Sequence, residues 1–213
     1  MTTTPISRRN SRLAERLIQK LRQRHYDAYY CEGREALLNQ VKALIPEGST
    51  VAWGGSMSIR DTGITQMLKT GNYVVYDRED VTTAEDKRRM YLKAFECQYY
   101  LGSVNAMSEE GEIVNIDGTG NRVAAMTWGP EHVILVVSLH KVCQDLEAAM
   151  KRARSTAAPI NMARFTFETP CQRDGVCHNC LSPDSICNYI SIQRMSHPAH
   201  RHIVVLTDEP VGY

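Results

Sequence analysis

Four of the chain's seven cysteines fall in one short segment, CQRDGVCHNCLSPDSIC, residues 171–187. Their spacing is Cys171-x5-Cys177-x2-Cys180-x6-Cys187. Two residues between Cys177 and Cys180 let the chain wrap two thiolates around one metal ion, and the flanking loops are long enough to return Cys171 and Cys187 to the same place. The pattern is neither a ribbon of two separated C-x2-C pairs nor the ferredoxin run with its Cys-Pro ending. His178 adds a nitrogen donor beside the pair. Four soft thiolates suit zinc or an iron–sulfur cluster and do not distinguish between them. Disulfides and plain reduced packing cysteines are the competing readings. With no secretory h-region, a reducing cytoplasm is expected, which disfavours stable disulfides. The expectation is that Cys171, Cys177, Cys180 and Cys187 converge on one small volume. Cys31, Cys97 and Cys143 stand in apparently helical contexts and read as packing residues.

A second stretch carries different chemistry. In VAWGGSMSIRD an apolar strand ends at Trp53, Gly54 and Gly55 free the backbone, and Ser56 and Ser58 precede a helix. Unpaired N–H groups at such a turn suit an anion. The plainer reading is a strand-to-helix turn closed by a Ser58–Asp61 capping box. The stretch lacks the Gly-Lys-Ser/Thr ending of a P-loop and the spacing of a dinucleotide fingerprint.

These residues need a frame to hold them. The chain has 213 residues, with 25 basic and 24 acidic side chains and 43% hydrophobic content, which suits one soluble domain over residues 1–213. The near-neutral balance gives no drive toward nucleic acid, and no apolar run approaches the ~20 residues of a membrane span. Residues 1–30 contain an amphipathic helix with Leu13, Leu17, Ile18 and Leu21 on one side and a basic, solvated face on the other. The Arg-rich start resembles a transit peptide, but its helix runs on into domain sequence. A second helix ends at Pro46-Glu47-Gly48. Strands STVAWGG, YVVYD and YYLGSV then alternate with helices near Ser58 and over 83–96, the order of a parallel sheet wrapped by helices. EIVNID and NRVAAMT read as two extended segments around GTG, a hairpin set into that order. HVILVVS reads as a central strand, a helix is expected over 141–154, and HIVVLTDE is an apolar strand near the end.

VAWGGSMSIRDTGI, GSVNAMSEEGEIVNIDGTGNRVAAMTWGPEHVILVVSLHKV, AAPINMARF and PCQRDGVCHNC follow one another in an order that resembles the lactate-utilisation (LUD) domain family, near its LutC-like members. The resemblance runs from about residue 30 to the end. It implies an α/β fold similar to sugar-phosphate isomerases and CoA transferases (NagB/RpiA-like): an open, mostly parallel sheet with helices on both faces and a hairpin excursion. It implies a small-anion pocket, for a carboxylate or phosphate, built from Gly54, Gly55, Ser56, Ser58, Gly102, Asn105, Gly118, Gly120, Asn121, Arg122 and Lys141. Arg122 and Lys141 are cations expected to face that cleft. The isomerases use acids in the loop matching GSVNAMSEE; here Asn105 stands there, Glu109 and Glu110 read as a solvated turn at Gly111, and no general base is assigned. The expected role is a component of a lactate or 2-hydroxy-acid oxidation system, working with iron–sulfur or redox partner subunits. The alternatives are a non-catalytic ligand-binding or regulatory module, or an isomerase or transferase acting on a phosphorylated or CoA-linked metabolite.

Overall fold

The computed structural model describes residues 4–213; the first three residues of the expected N-terminal segment lie outside it. Ten strands are present: β1 (Asp27–Cys31), β2 (Thr50–Trp53), β3 (Val74–Tyr76), β4 (Tyr99–Gly102), β5 (Ala106–Ser108), β6 (Ile113–Asp117), β7 (His132–Ser138), β8 (Val142–Cys143), β9 (Tyr189–Gln193) and β10 (His202–Thr207). Six form an all-parallel sheet in the order β1-β10-β7-β4-β2-β3. β7 and β10 are adjacent interior strands, buried nearly along their whole length with apolar centres, as strands covered on both faces must be. The expected α/β architecture with a mostly parallel sheet is the one observed.

The helices are α1 (Pro5–Gln23), α2 (Gly33–Leu44), α3 (Met57–Asp61), α4 (Ile64–Thr70), α5 (Ala84–Glu96), α6 (Asn121–Thr127), α7 (Leu146–Arg152), α8 (Ala158–Met162) and α9 (Pro170–Asp174). One apolar layer, including Leu17 and Leu21 of α1 with Val133, Leu135 and Val204, fills one face of the sheet. Leu37, Val41, Ile59, Ile64 and Leu68 fill the other against Val51, Ile134 and Val205. A smaller four-stranded sheet, β8-β5-β6-β9, packs Ala106 and Val114 on Ala149 and Ala153.

Several local expectations are corrected. The hairpin exists, but β5 and β6 form it around Gly111, whose φ is 89°. NRVAAMT is helix α6, because the Asp117 carboxylate accepts from the amides of Thr119, Gly120 and Val123 and so nucleates a helical start. The turn at Glu109 and Glu110 is not merely solvated: Arg16 pairs with both, and Lys20 with Glu110, so the basic face of α1 docks the hairpin tip. The helix after β2 is two short helices, α3 and α4, parted at Gly63 with φ 86°. The helix expected over 141–154 starts later, at Leu146, where the Asp145 side chain caps Ala148 N–H. It then runs through a π-wound stretch, Ala153–Ala157, into α8. Pro159 brings no N–H to that ladder, and a widened turn accommodates the loss. The three separate cysteines are not helical: Cys31 ends β1, Cys97 follows α5, and Cys143 lies in β8.

Candidate functional site

The carboxyl ends of β2, β3, β4, β7 and β10 open on one cavity of about 400 Å³. Ligands of open α/β sheets collect at this end, where loops diverge and backbone groups are left unpaired. Gly55, Ser56 and Ser58 enter from beyond β2, Arg78 and Glu79 from beyond β3, and Ser103 and Asn105 from beyond β4. Lys141 follows β7, while Asp117, Gly118, Asn121 and Arg122 form the turn after β6.

Of the residues expected at an anion site, Gly55, Ser56, Ser58, Asn105, Gly118, Asn121, Arg122 and Lys141 line this cavity. Gly54, Gly102 and Gly120 do not. A Cβ on Gly54 would lie 3.0 Å from the Tyr100 hydroxyl and 3.6 Å from the Arg122 stem, so that glycine clears room for packing. Gly102 sits beside Leu135 within the sheet, and Gly120, at φ 81°, faces Tyr189. The Ser58–Asp61 capping box is also absent. Ser56 is the N-cap residue, makes no side-chain cap, and leaves Ser58 inside the first turn. Among the described residues the amides of Gly55, Ser56, Met57 and Ser58 have no protein acceptor.

The cations differ in what occupies them. Arg122 is committed: it donates to Asn115 Oδ1 and Asn105 Oδ1 at 3.1 Å each, to the Ile116 carbonyl at 2.6 Å, and to Asp117 at 3.4 Å. It braces the β4–β5 and β6–α6 turns and has little left for a ligand. Arg78 and Arg164, which the sequence reading missed, are freer. A Cβ on Gly55 would meet Arg78 Nη2 at 2.6 Å, so the missing side chain lets that guanidinium lie on the loop. Arg78 otherwise donates to the Tyr91 hydroxyl and approaches Glu79 only at 3.9 Å. Arg164 donates to the Gly55 carbonyl at 3.2 Å and Asn161 Oδ1 at 3.0 Å. Arg164 stands in AAPINMARF, and its adjacency to Phe165 and Phe167, both on the cavity wall, was the available signal.

Lys141 is 2% exposed and donates to Ser58 Oγ at 2.8 Å and Ser103 Oγ at 3.1 Å. Burial, and then the positive charges of Arg152 and Arg122, push its amine down to about 7.

The cysteine segment lies against the same cavity. Ile186 is part of the wall, and a Cβ on Gly118 would come within 3.1 Å of the Ile186 backbone. Asn188 donates to the Gly118 carbonyl at 3.0 Å, and Ser182 closes the segment onto Glu168. Cys187 is surface-exposed as a residue, yet its sulfur is crowded. Burial, then the charges of Cys177, Cys171 and Cys180, raise its thiol to about 11. Even so, no group of three or more His, Cys, Asp or Glu side chains among the described residues is placed to hold a metal ion. The donors suit a soft metal in kind, but their arrangement does not close on a single ion. His178 is turned to Asp174 at 2.6 Å instead.

A family model described as the LUD domain matches residues 14–207. Among solved structures, a DUF162 family protein from Deinococcus radiodurans is similar at 13% identity. Its TM-score is 0.54, and the match covers 93% of this chain and 97% of that one. That likeness concerns the fold. No match is found among curated proteins. No described helix is long and apolar enough to cross a membrane.

Proposed function

Given that this chain belongs to the LUD domain family, a family tied to lactate utilisation, we propose that it is a component of a 2-hydroxy-acid oxidation system and binds a small carboxylate or phosphate in the cavity at the strand ends. The observation that carries this is the convergence of Arg78 and Arg164 on Gly55. Two guanidinium groups flank a loop whose amides have no protein acceptor, and neither makes a close ion pair with a carboxylate among the described residues. Guanidinium forks match carboxylate and phosphate oxygens in shape as well as charge. Lys141 adds a further positive charge below its titration near 7. The two carboxylates on the cavity are compensated, Asp117 by Arg122 and the turn amides and Glu79 by Arg60, which weakens their repulsion of an anion. Phe165 and Phe167 stack at 5.2 Å on the rim and supply an apolar flank for a small carbon skeleton.

Calorimetric titration with inorganic phosphate and with L-lactate tests the pocket. A Gly55→Val side chain would occupy the place of the Arg78 guanidinium, a flexible group that can swing away. We expect unchanged melting and roughly tenfold or greater loss of affinity, about 1.4 kcal/mol or more. Equal affinity in the variant would sink the reading. An isomerase would need an acid in the loop that follows β4. Asn105, at the place where the isomerases have an acid, has its side-chain oxygen occupied by Ile116 N–H and Arg122.

The Cys171-x5-Cys177-x2-Cys180-x6-Cys187 spacing supports a second proposal: the segment takes up zinc or an iron–sulfur cluster once its loop rearranges to bring the thiolates together. We expect anaerobically purified protein to carry metal and the Cys177→Ser, Cys180→Ser variant to lack it. Equal metal content and stability in both would leave these cysteines as packing residues.

A further inference from the structure

We infer that Ser58 and Lys141 form a nucleophile–base pair that transfers acyl groups from a small ester or thioester with an anionic end. The proposal rests on the pocket reading above for the anionic end, and goes beyond it in assigning covalent chemistry.

Among the described residues Lys141 is the one buried cation on the cavity whose side-chain partners are hydroxyls alone: Ser58 Oγ at 2.8 Å and Ser103 Oγ at 3.1 Å. No carboxylate pairs with it among the described residues, and Asp61 is felt only as a more distant charge. A permanently charged ammonium would be poorly compensated there, whereas a neutral amine fits two hydroxyl neighbours. Above neutral pH the amine is largely free base, because its titration falls near 7. It can then accept the Ser58 proton, while Ser103 holds it in place. Among the described residues the only other partner of the Ser58 hydroxyl is the Val211 carbonyl at 3.5 Å, too long for a strong bond. The short contact to Nζ is therefore the one that orients it.

Both groups line the cavity. Gly212 passes directly over them. A Cβ there would strike Ser58 Oγ and lie 2.9 Å from Lys141 Nζ, so only bare backbone can cover the pair, and Gly212 lines the cavity beside it. In the step, Ser58 Oγ bonds to the acyl carbon and its proton passes to Nζ. The bond from the acyl carbon to the leaving oxygen or sulfur breaks, and the leaving group takes the proton from Nζ. Water, or another hydroxyl or thiol, then bonds to the acyl carbon, the Ser58 Oγ–acyl bond breaks, and the proton of the incoming group passes through Nζ to Oγ. No electrons are exchanged with an external carrier. Arg78 and Arg164, across Gly55 from Ser58, lie where an anionic end would be held. Lysine-activated serines of this kind recur on unrelated folds.

The full chain is treated with a fluorophosphonate probe, and labelling is followed by intact mass and peptide mapping. We expect one adduct, at Ser58, forming faster as pH rises through about 7. Lys141→Arg keeps hydrogen-bond donors toward the two serines but stays protonated and cannot act as a base, and should label roughly a hundredfold more slowly. No adduct, an adduct at Ser56 instead, or an unchanged rate in Lys141→Arg overturns the proposal. If that variant does not fold, the native pH profile decides: a flat rate from about pH 6 to about pH 9 overturns it as well. Phosphate titration in parallel separates the two readings. Phosphate binding without an adduct removes only the acyl chemistry, and an adduct without phosphate binding removes only the anion site.

Discussion

Arg122 and Lys141 look alike in the sequence, two cations beside Gly-rich or strand-end turns, but they do different work. Arg122 spends its donors on Asn105, Asn115, Asp117 and the Ile116 carbonyl, so its loss strands several half-buried polar groups. We expect Arg122→Ala to lower unfolding free energy on the order of 3 kcal/mol, measured by urea denaturation, because Asp117 would be left without its partner. Lys141 sits buried without a counter-charge. Lys141→Met should therefore leave stability unchanged or raise it, while phosphate affinity measured below about pH 7, where the native amine is charged, falls. A large destabilisation by Lys141→Met would mean that the two serine contacts outweigh the cost of burying the amine. Residue type in the sequence marked both positions; only their hydrogen-bond partners tell a brace from a reactive group.

Between elements, the informative contact joins the β6–α6 turn to the cysteine segment. Gly118 is close to the backbone of Ile186, at 3.1 Å for an added Cβ, and backbone cannot swing aside as an arginine can. Gly118→Val should lift residues 185–188 from the cavity rim. The expected outcome is faster proteolytic cleavage within 171–187 and weaker phosphate binding, with the parallel sheet intact by circular dichroism. Cleavage at the native rate would show that the segment holds its place without this contact. The same turn explains the misplaced hairpin. In EIVNIDGTGNRVAAMT the glycines mark a reversal, and a reversal can lead into a strand or a helix. Asp117 decides for the helix by capping three amides, and side-chain caps of this kind are weak signals in a sequence read without coordinates.

For the molecule as a whole, His202 ties the central strand β10 to α6 through Met126 and to Ser196, 2% exposed and T-stacked on Tyr26. Burial first, and then Arg201, hold it down to about 4 in the folded chain. The hydrogen bond to Met126 opposes this without overcoming it. Above its unfolded value near 6.5 the ring is neutral in both states and contributes no pH dependence. As pH falls from 6.5 toward 4 the unfolded chain takes up a proton that the folded chain refuses, so stability drops, by about 3 kcal/mol when complete. Urea unfolding at a series of pH values should show this loss, and His202→Gln should flatten it. An equal slope in the variant would assign the acid sensitivity to other groups.

The sequence alone determined the sheet. Long apolar runs such as HVILVVS and HIVVLTDE can be buried only between two layers, and their alternation with helical periods leaves a parallel wound sheet as the economical arrangement. It also located the glycine-serine loop and several of the cavity's polar residues, Ser56, Ser58, Asn105, Asn121, Arg122 and Lys141, because strand ends and glycines are written locally. The short β1, with Tyr29 and Tyr30 in DAYYC, escaped notice since it lacks clean alternation and is held by pairing with β10, far along the chain. Arg78 and Ser103 escaped for the same reason: nothing near them in sequence says that they meet Gly55 or Lys141. The tertiary structure alone decided which cations are spent and which are free. That depends on burial and on partners tens of residues away, and a side chain's charge state follows from its surroundings more than from its neighbours in the chain.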